Sequence, residues 1–281
     1  MLEKISSDDN LNQAYEWLCQ RRKDYSANSD VWRLRQGWEK DNGAQCRDSI
    51  RQTLTTGSWQ FQVVPLHRIK TANKIDVLAL IPALDALVLR AIAQVLSKAI
   101  PIHSNCLHVK NGGGVAGGRA FVAAQLNSGH SGQALKYIWR SDVKSYYQNI
   151  HHGILLRKLS AHIKQKRLLH LIRRHLKCNE THGGVYASRY QGLSLSSPLS
   201  PFLGALYLNS FDTAMSKYGP YKRFMDDWIL FCESEPLRKK AISKGCLHLK
   251  KLGMRCHPDK TWVIRNNEPF VFLGEKFNQP L

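Results

Sequence analysis

The sequence has no run of apolar residues approaching the roughly 18 to 20 that a membrane-spanning helix requires, so no membrane role is expected. Its first ten residues, MLEKISSDDN, contain no apolar core of a secretion signal, and a cleaved leader is not expected. The seven cysteines include no pair at Cys-x-x-Cys spacing. That pattern points away from a zinc site or a disulfide framework and towards reduced thiols in a cytoplasm, buried as small hydrophobes. No internal repeat or low-complexity linker interrupts the 281 residues, a length that suits one large domain or two closely packed ones. Acidic residues are scarce, 21 against 41 Lys and Arg, giving a formal net charge of +20. With 43% hydrophobic residues the composition is still that of a folded chain.

The scarcity of acids is local. Residues 1–100 carry 14 basic and 11 acidic side chains, whereas residues 101–281 carry 27 and 10. From position 143 to 179 there is no acid at all, and nine Lys or Arg occur. A solvated face accounts for a few such cations; a surplus this concentrated points to a polyanion, most simply nucleic acid.

Hydrophobic spacing predicts helices through residues 1–56, where Leu11, Ala14 and Leu18 share a face. Residues 57–64 (GSWQFQVV) read as a strand ended by Pro65, followed by two strands around a basic loop containing Arg68, Lys70 and Lys74. A helix is expected over 83–100. Residues 110–119 (KNGGGVAGGR) hold five glycines and read either as a flexible loop or as backbone able to approach phosphates. A strand over 135–142 ends in Asp142. Residues 153–178 are helical and basic, and His151, His152, His162, His170, His175 and His182 in or near them suit phosphate contact or exposure better than a metal site. A helix follows the Pro-marked entrance at 192–200. Residues 221–232 (YKRFMDDWILFC) form a hairpin with Asp226 and Asp227 at its turn. A second basic helix over 237–253 and strands over 257–263 and 270–277 complete the pattern.

Carboxylates at turns often serve the backbone alone. Asp142, Asp226 and Asp227, however, each end an apolar strand. Carboxylates on neighbouring strand ends can converge on hard divalent cations, and two such cations support phosphoryl transfer on nucleic acid.

The ordered blocks 142–147 (DVKSYY), 192–201 (GLSLSSPLSP), 224–227 (FMDD), 257–261 (HPDKT) and 272–274 (FLG) resemble those of bacterial reverse transcriptases of the group II intron-like class. The resemblance runs from about residue 57 to residue 277. It implies an α+β right-hand polymerase: a helical extension over 1–56, fingers mainly over 57–132 and a ferredoxin-like palm mainly over 133–281, with the thumb absent or truncated. It implies RNA-directed DNA synthesis on two Mg2+ ions, with Mn2+ as a substitute. Asp142, the Val143 carbonyl, Asp226 and Asp227 correspond to the metal-binding set, and Lys260 to a lysine that protonates departing pyrophosphate. Tyr147 matches a bulky gate beneath the sugar. Lys70 and Lys74 correspond to residues that hold the triphosphate, and Leu195 and Ser196 border the nucleotide, where relatives carry Gln-Gly. Glu275 stands where many relatives carry Tyr. The implied partners are an RNA template, a DNA or RNA primer, dNTPs, and a structured RNA or separately encoded partner supplying the thumb. The sequence leaves the host element open between an intron, a retrotransposon-like element and a defence system. The rival readings are a truncated, non-catalytic nucleic-acid-binding remnant and a defence-type relative making DNA without a template.

Overall fold

A computed structural model describes residues 1–39, 43–71, 74–127, 137–265 and 268–277. Its helices α1 (Leu2–Ile5), α2 (Asp8–Arg21), α3 (Asp30–Glu39) and α4 (Gly43–Thr56) precede the hairpin β1 (Val64–Thr71) and β2 (Lys74–Ala79) and the long α5 (Ala83–Ala99). Then come α6 (Gly114–Asn127), β3 (Tyr137–Asp142), α7 (Tyr146–Asn149), α8 (His152–His162), α9 (Lys166–Leu176), β4 (Asn179–His182) and β5 (Val185–Ser188). The chain closes with α10 (Ser200–Met215), β6 (Tyr221–Phe224), β7 (Asp227–Cys232), α11 (Glu235–Lys251), β8 (Trp262–Arg265), β9 (Phe270–Phe272) and β10 (Glu275–Phe277). Two compact units result, Met1–Pro101 with His152–Phe202 and Ile102–His151 with Leu203–Leu281. Residues 102–127 thus group with the second unit and residues 152–202 with the first.

In the first unit the 1–56 helices are not a free-standing extension. Asn10 of α2 donates to the Ala91 carbonyl of α5 at 3.0 Å, and the Arg90 guanidinium lies 4.9 Å over the Trp17 ring. The strand expected over 57–64 begins only at Val64. The residues before it turn their polar groups to a side chain: the Trp59 indole and the Gln62 N–H both donate to the Asp85 carboxylate, at 3.2 and 2.8 Å. Pro65 lies inside β1 near its start, where one missing donor is tolerated, and its carbonyl accepts from Leu80 N–H. The turn between β1 and β2 lies outside the described residues. The hairpin β4–β5, which hydrophobic pattern did not single out, joins β1 through a parallel pairing at Val64 and Pro65.

The basic stretch forms two helices, and part of its charge is structural. Arg167 and Arg174 donate to the Thr55 and Gly57 carbonyls at 2.7 and 2.9 Å, the place at a helix C-terminus where cations are favoured. Two of the histidines expected to be exposed are buried. The His175 Nε2 meets Ser197 Oγ at 3.0 Å and the His152 Nε2 meets the Gly192 carbonyl at 2.7 Å, so both brace the 192–200 loop. Burial, then Arg189 and His152, push His175 down to about 3, which keeps it neutral.

The second unit is built on the antiparallel sheet β6-β7-β3-β8. β7 reads Trp228-Ile229-Leu230-Phe231-Cys232 without alternation because both its faces are covered. On one face Trp228 packs edge-on against Phe211 of α10 at 5.1 Å and against Trp139 at 5.6 Å. α11 closes that face at Gly245, where a Cβ would stand 2.6 Å from the Trp139 ring. On the other face Ile138, Ile229, Phe231 and Ile264 form a core with Val122 of α6 and with Phe270, Phe272 and Phe277 of the β9–β10 hairpin. The glycine-rich stretch is neither a loop nor an open backbone cradle throughout: after a tight turn with positive φ at Asn111, Gly113 and Gly114, the chain runs on as α6. The expected strand over 257–263 is a 3₁₀ turn, Pro258–Lys260, followed by β8, and 270–277 is two strands rather than one.

The buried carboxylate of Asp85 yields a pH test. Burial raises it to about 6, against the pull of its two donors. An unfolded aspartate titrates near 3.9. The charged form therefore destabilises the fold, not at all below about pH 4 and fully above about pH 6, by roughly 2–3 kcal/mol. In urea denaturation Asp85→Asn is expected to flatten the stability loss between pH 4.5 and 7.5 relative to wild type; an unchanged pH slope would contradict the assignment.

Candidate active site

The acidic residues come together through strand register. Asp142, last residue of β3, pairs with Asp227, first residue of β7. Phe224 and Asp227 close the β6–β7 hairpin, leaving Met225 and Asp226 as its two-residue loop. Met225 takes φ +55, a left-handed value rare outside glycine. Two bonds hold it there: its N–H donates to His108 Nδ1 at 2.9 Å and its carbonyl accepts from Arg223 Nη1 at 2.5 Å. Arg223 is fully buried and paired with fully buried Asp212 of α10 through Nε–Oδ1 at 2.7 Å and Nη2–Oδ2 at 2.6 Å. The Tyr221 hydroxyl donates to the same carboxylate at 2.9 Å.

Backbone bonds tie the first acidic block to the second. The Val143 N–H donates to the Asp226 carbonyl at 3.2 Å. On the opposite side His257 N–H donates to the Asp142 carbonyl at 2.7 Å, Lys144 N–H donates to the Arg255 carbonyl at 3.0 Å, and Val143 bridges Cys256. The chain around Asp142 is thus clamped between the acidic turn and the segment leading to Lys260.

The three carboxylates have different surroundings. Asp227 accepts from Arg140 Nε at 3.3 Å and Nη2 at 3.0 Å. That guanidinium also bonds the Val271 carbonyl and lies 4.7 Å over the Trp262 ring. Burial raises the Asp227 carboxyl while Arg140 opposes the rise. Asp226 is pushed up to about 6, first by burial and next by the charge of Asp142. Lys260 Nζ stands 3.3 Å from Asp142 Oδ2.

Among the described residues no three His, Cys, Asp or Glu side chains gather into a ready-made metal cage. Mg2+ seldom takes one; it is usually held by one or two carboxylates together with substrate phosphates and water. Asp227 is engaged by Arg140 and Asp142 lies beside Lys260, while a cation would offset the burial and the Asp142 charge that raise Asp226. The donor set fits Mg2+.

Tyr147 is buried in α7, which starts after Ser145 at φ +50. Its ring lies 5.2 Å from that of Tyr146, whose hydroxyl donates to the Gly204 carbonyl at 2.5 Å. A Cβ on Gly204 would stand 3.3 Å from the Tyr147 hydroxyl and 3.4 Å from the Tyr146 ring, so a larger residue there would press both rings aside by a few tenths of an ångström. Burial, then the Asp226 charge, push the Tyr147 phenol up to about 12.

Asp142, Val143, Tyr147, Asp226, Asp227 and Lys260 therefore belong to one unit. Lys70 on β1, Lys74 on β2, and Leu195 and Ser196 in the loop before α10 belong to the other. Leu195 is 70% exposed, unusual for a leucine. Sequence reasoning missed Arg140, Arg223 and Asp212. Arg140 did carry a signal, standing two residues before Asp142 and hence on the same strand face; Asp212, inside a helix, carried none.

Carboxylates at adjoining strand ends, in a chain with a net charge of +20, are chemically compatible with nucleotidyl transfer. A family model described as reverse transcriptase (RNA-dependent DNA polymerase) matches residues 52–277, and the chain belongs to that family. Membership implies a nucleic-acid template, a primer and nucleotides as ligands. The chain is also similar to Protein YkfC of Escherichia coli (strain K12), 24% identical over 272 residues that take in 81% of this chain and 70% of that protein. No helix among the described residues is long and apolar enough to cross a membrane.

Breaking one side of the Arg223–Asp212 pair strands a buried charge. Arg223→Met or Asp212→Asn is expected to cost about 3–5 kcal/mol in urea denaturation, and the double replacement Arg223→Met with Asp212→Leu to recover much of it. A loss below about 1 kcal/mol for both single variants would contradict the burial of the pair.

Proposed function

We propose that the chain is an RNA-directed DNA polymerase of the group II intron-like class, which adds deoxynucleotides to a primer 3′ end on an RNA template. The observation that carries the reading is the joining of two acidic blocks, through the Asp142–Asp227 register and the Val143–Asp226 bond, in a chain of the reverse transcriptase family. The succession β3–α10–β6–β7–α11–β8 with strand order β6-β7-β3-β8 supports assigning the second unit to a ferredoxin-like palm. β1, β2, α8 and α9 then belong to the fingers.

In this reading Asp142 and Asp226, with the Val143 carbonyl, hold two Mg2+ ions. When bound, those ions lower the pKa of the primer hydroxyl and offset charge on the phosphates. Asp227 acts through Arg140, fixing the strand end from which Asp226 projects. Lys260, kept beside Asp142, delivers a proton from Nζ to the departing pyrophosphate oxygen. Lys70 and Lys74 hold the triphosphate, while Leu195 and Ser196 border the nucleotide. Tyr147 lies beneath the sugar and takes the space that a 2′-hydroxyl needs; a misplacement of about 1 Å can lower the rate around a hundredfold. The cations lining the cleft between α8 and α9, Arg157, Lys166 and Arg173, favour a phosphate backbone.

Single-nucleotide extension of a primer on an RNA template, with dGTP or GTP, tests the assignment. Wild type is expected to add dGTP, Asp226→Asn to lose extension by at least about a thousandfold while still binding the duplex, and Tyr147→Ala to gain GTP incorporation. Full activity of Asp226→Asn would overturn the site, and a wild-type preference for GTP would overturn DNA synthesis.

A further inference from the structure

Cys246 and Cys256 are separated by ten positions with no motif between them, and the fold brings their sulfurs to 3.9 Å. Both thiols are free; Cys246 is exposed on α11 and Cys256 is half-buried in the connector to β8. A disulfide needs sulfurs about 2.05 Å apart, a distance that side-chain rotation and a small backbone shift would bridge. The hydrogen bond between the two thiols lowers Cys246 and raises Cys256, which makes Cys246 the more readily ionised, nucleophilic member of the pair.

Cys256 also sits in the segment that clamps the first acidic block. It bridges Val143, and its neighbours Arg255 and His257 bond Lys144 and Asp142 through the backbone. Drawing Cys256 towards α11 pulls on the backbone that carries Asp142.

We propose that Cys246 and Cys256 form a reversible dithiol–disulfide site for hydrogen peroxide, whose closure displaces the Asp142 backbone and slows nucleotide addition. The Cys246 thiolate attacks one peroxide oxygen; the O–O bond breaks, hydroxide leaves and takes up a proton, and a sulfenic acid forms. The Cys256 sulfur then attacks the sulfenic sulfur. The S–O bond breaks, a second water leaves and the S–S bond forms, so that two thiols lose two electrons to one peroxide. The rate consequence rests on the proposed polymerase reading; the bond itself does not.

The test treats the reduced protein with hydrogen peroxide and maps its peptides without reduction by mass spectrometry. A Cys246–Cys256 linkage lighter by two hydrogens, reversed by dithiothreitol and absent from Cys246→Ser, is expected; no such linkage overturns the site. The linked protein is expected to extend a primer at least tenfold more slowly, with recovery on reduction and no such loss in peroxide-treated Cys246→Ser. Equal rates for linked and reduced protein overturn the coupling. If reduced wild type extends no primer at all, the polymerase reading fails, and amide exchange over residues 142–144 decides the coupling instead. Faster exchange in the linked form supports it and unchanged exchange overturns it.

Discussion

Like charges crowded at one edge of a sheet repel, and the second unit is organised around the placing of three carboxylates there. Each has a different counterpart. Asp227 has the Arg140 fork, Asp142 has the Lys260 ammonium, and Asp226 is raised to about 6 by burial and by Asp142. A chain with a net charge of +20 keeps its acids few and collects three of them where phosphate chemistry would need a metal.

The arrangement depends on a buried ion pair that touches none of these acids. Arg223 and Asp212 are both fully buried, and such a pair contributes little net stability once desolvation is counted. Its evident use is positional: Arg223 bonds the Met225 carbonyl, and Met225 is the strained residue that aims Asp226. A second clamp, from residues 255–257, holds the other acidic block by its backbone. The site is therefore built on strands, backbone bonds and ion pairs rather than on a mobile loop.

Much of this was readable in the sequence. The hairpin carrying Asp226 and Asp227 was clear because apolar, β-prone runs flank two acids, and β3 was clear because its apolar residues end in Asp142. Helices α5, α10 and α11 followed from periodicity. Residues 57–63 were misread because Trp and Phe have β-propensity wherever they stand, whereas here Trp59 and Gln62 are drawn to Asp85, a contact no local pattern encodes. The buried roles of His152 and His175, and the capping by Arg167 and Arg174, escaped for the same reason: composition counts charges and rings but not their partners. Arg223 looked like one more cation of a basic chain, and only the fold pairs it with Asp212.

Localised cleavage by iron tests the account most directly. Fe2+ bound in place of Mg2+, with ascorbate and peroxide, generates hydroxyl radicals that cut the chain beside the metal. The account predicts cuts next to Asp142 and Asp226 that excess Mg2+ suppresses. They should persist in Asp227→Asn, whose lost carboxylate belongs to Arg140, and vanish when Asp142→Asn and Asp226→Asn are combined. Equal cleavage in that double variant, or cuts confined to other parts of the chain, would contradict it.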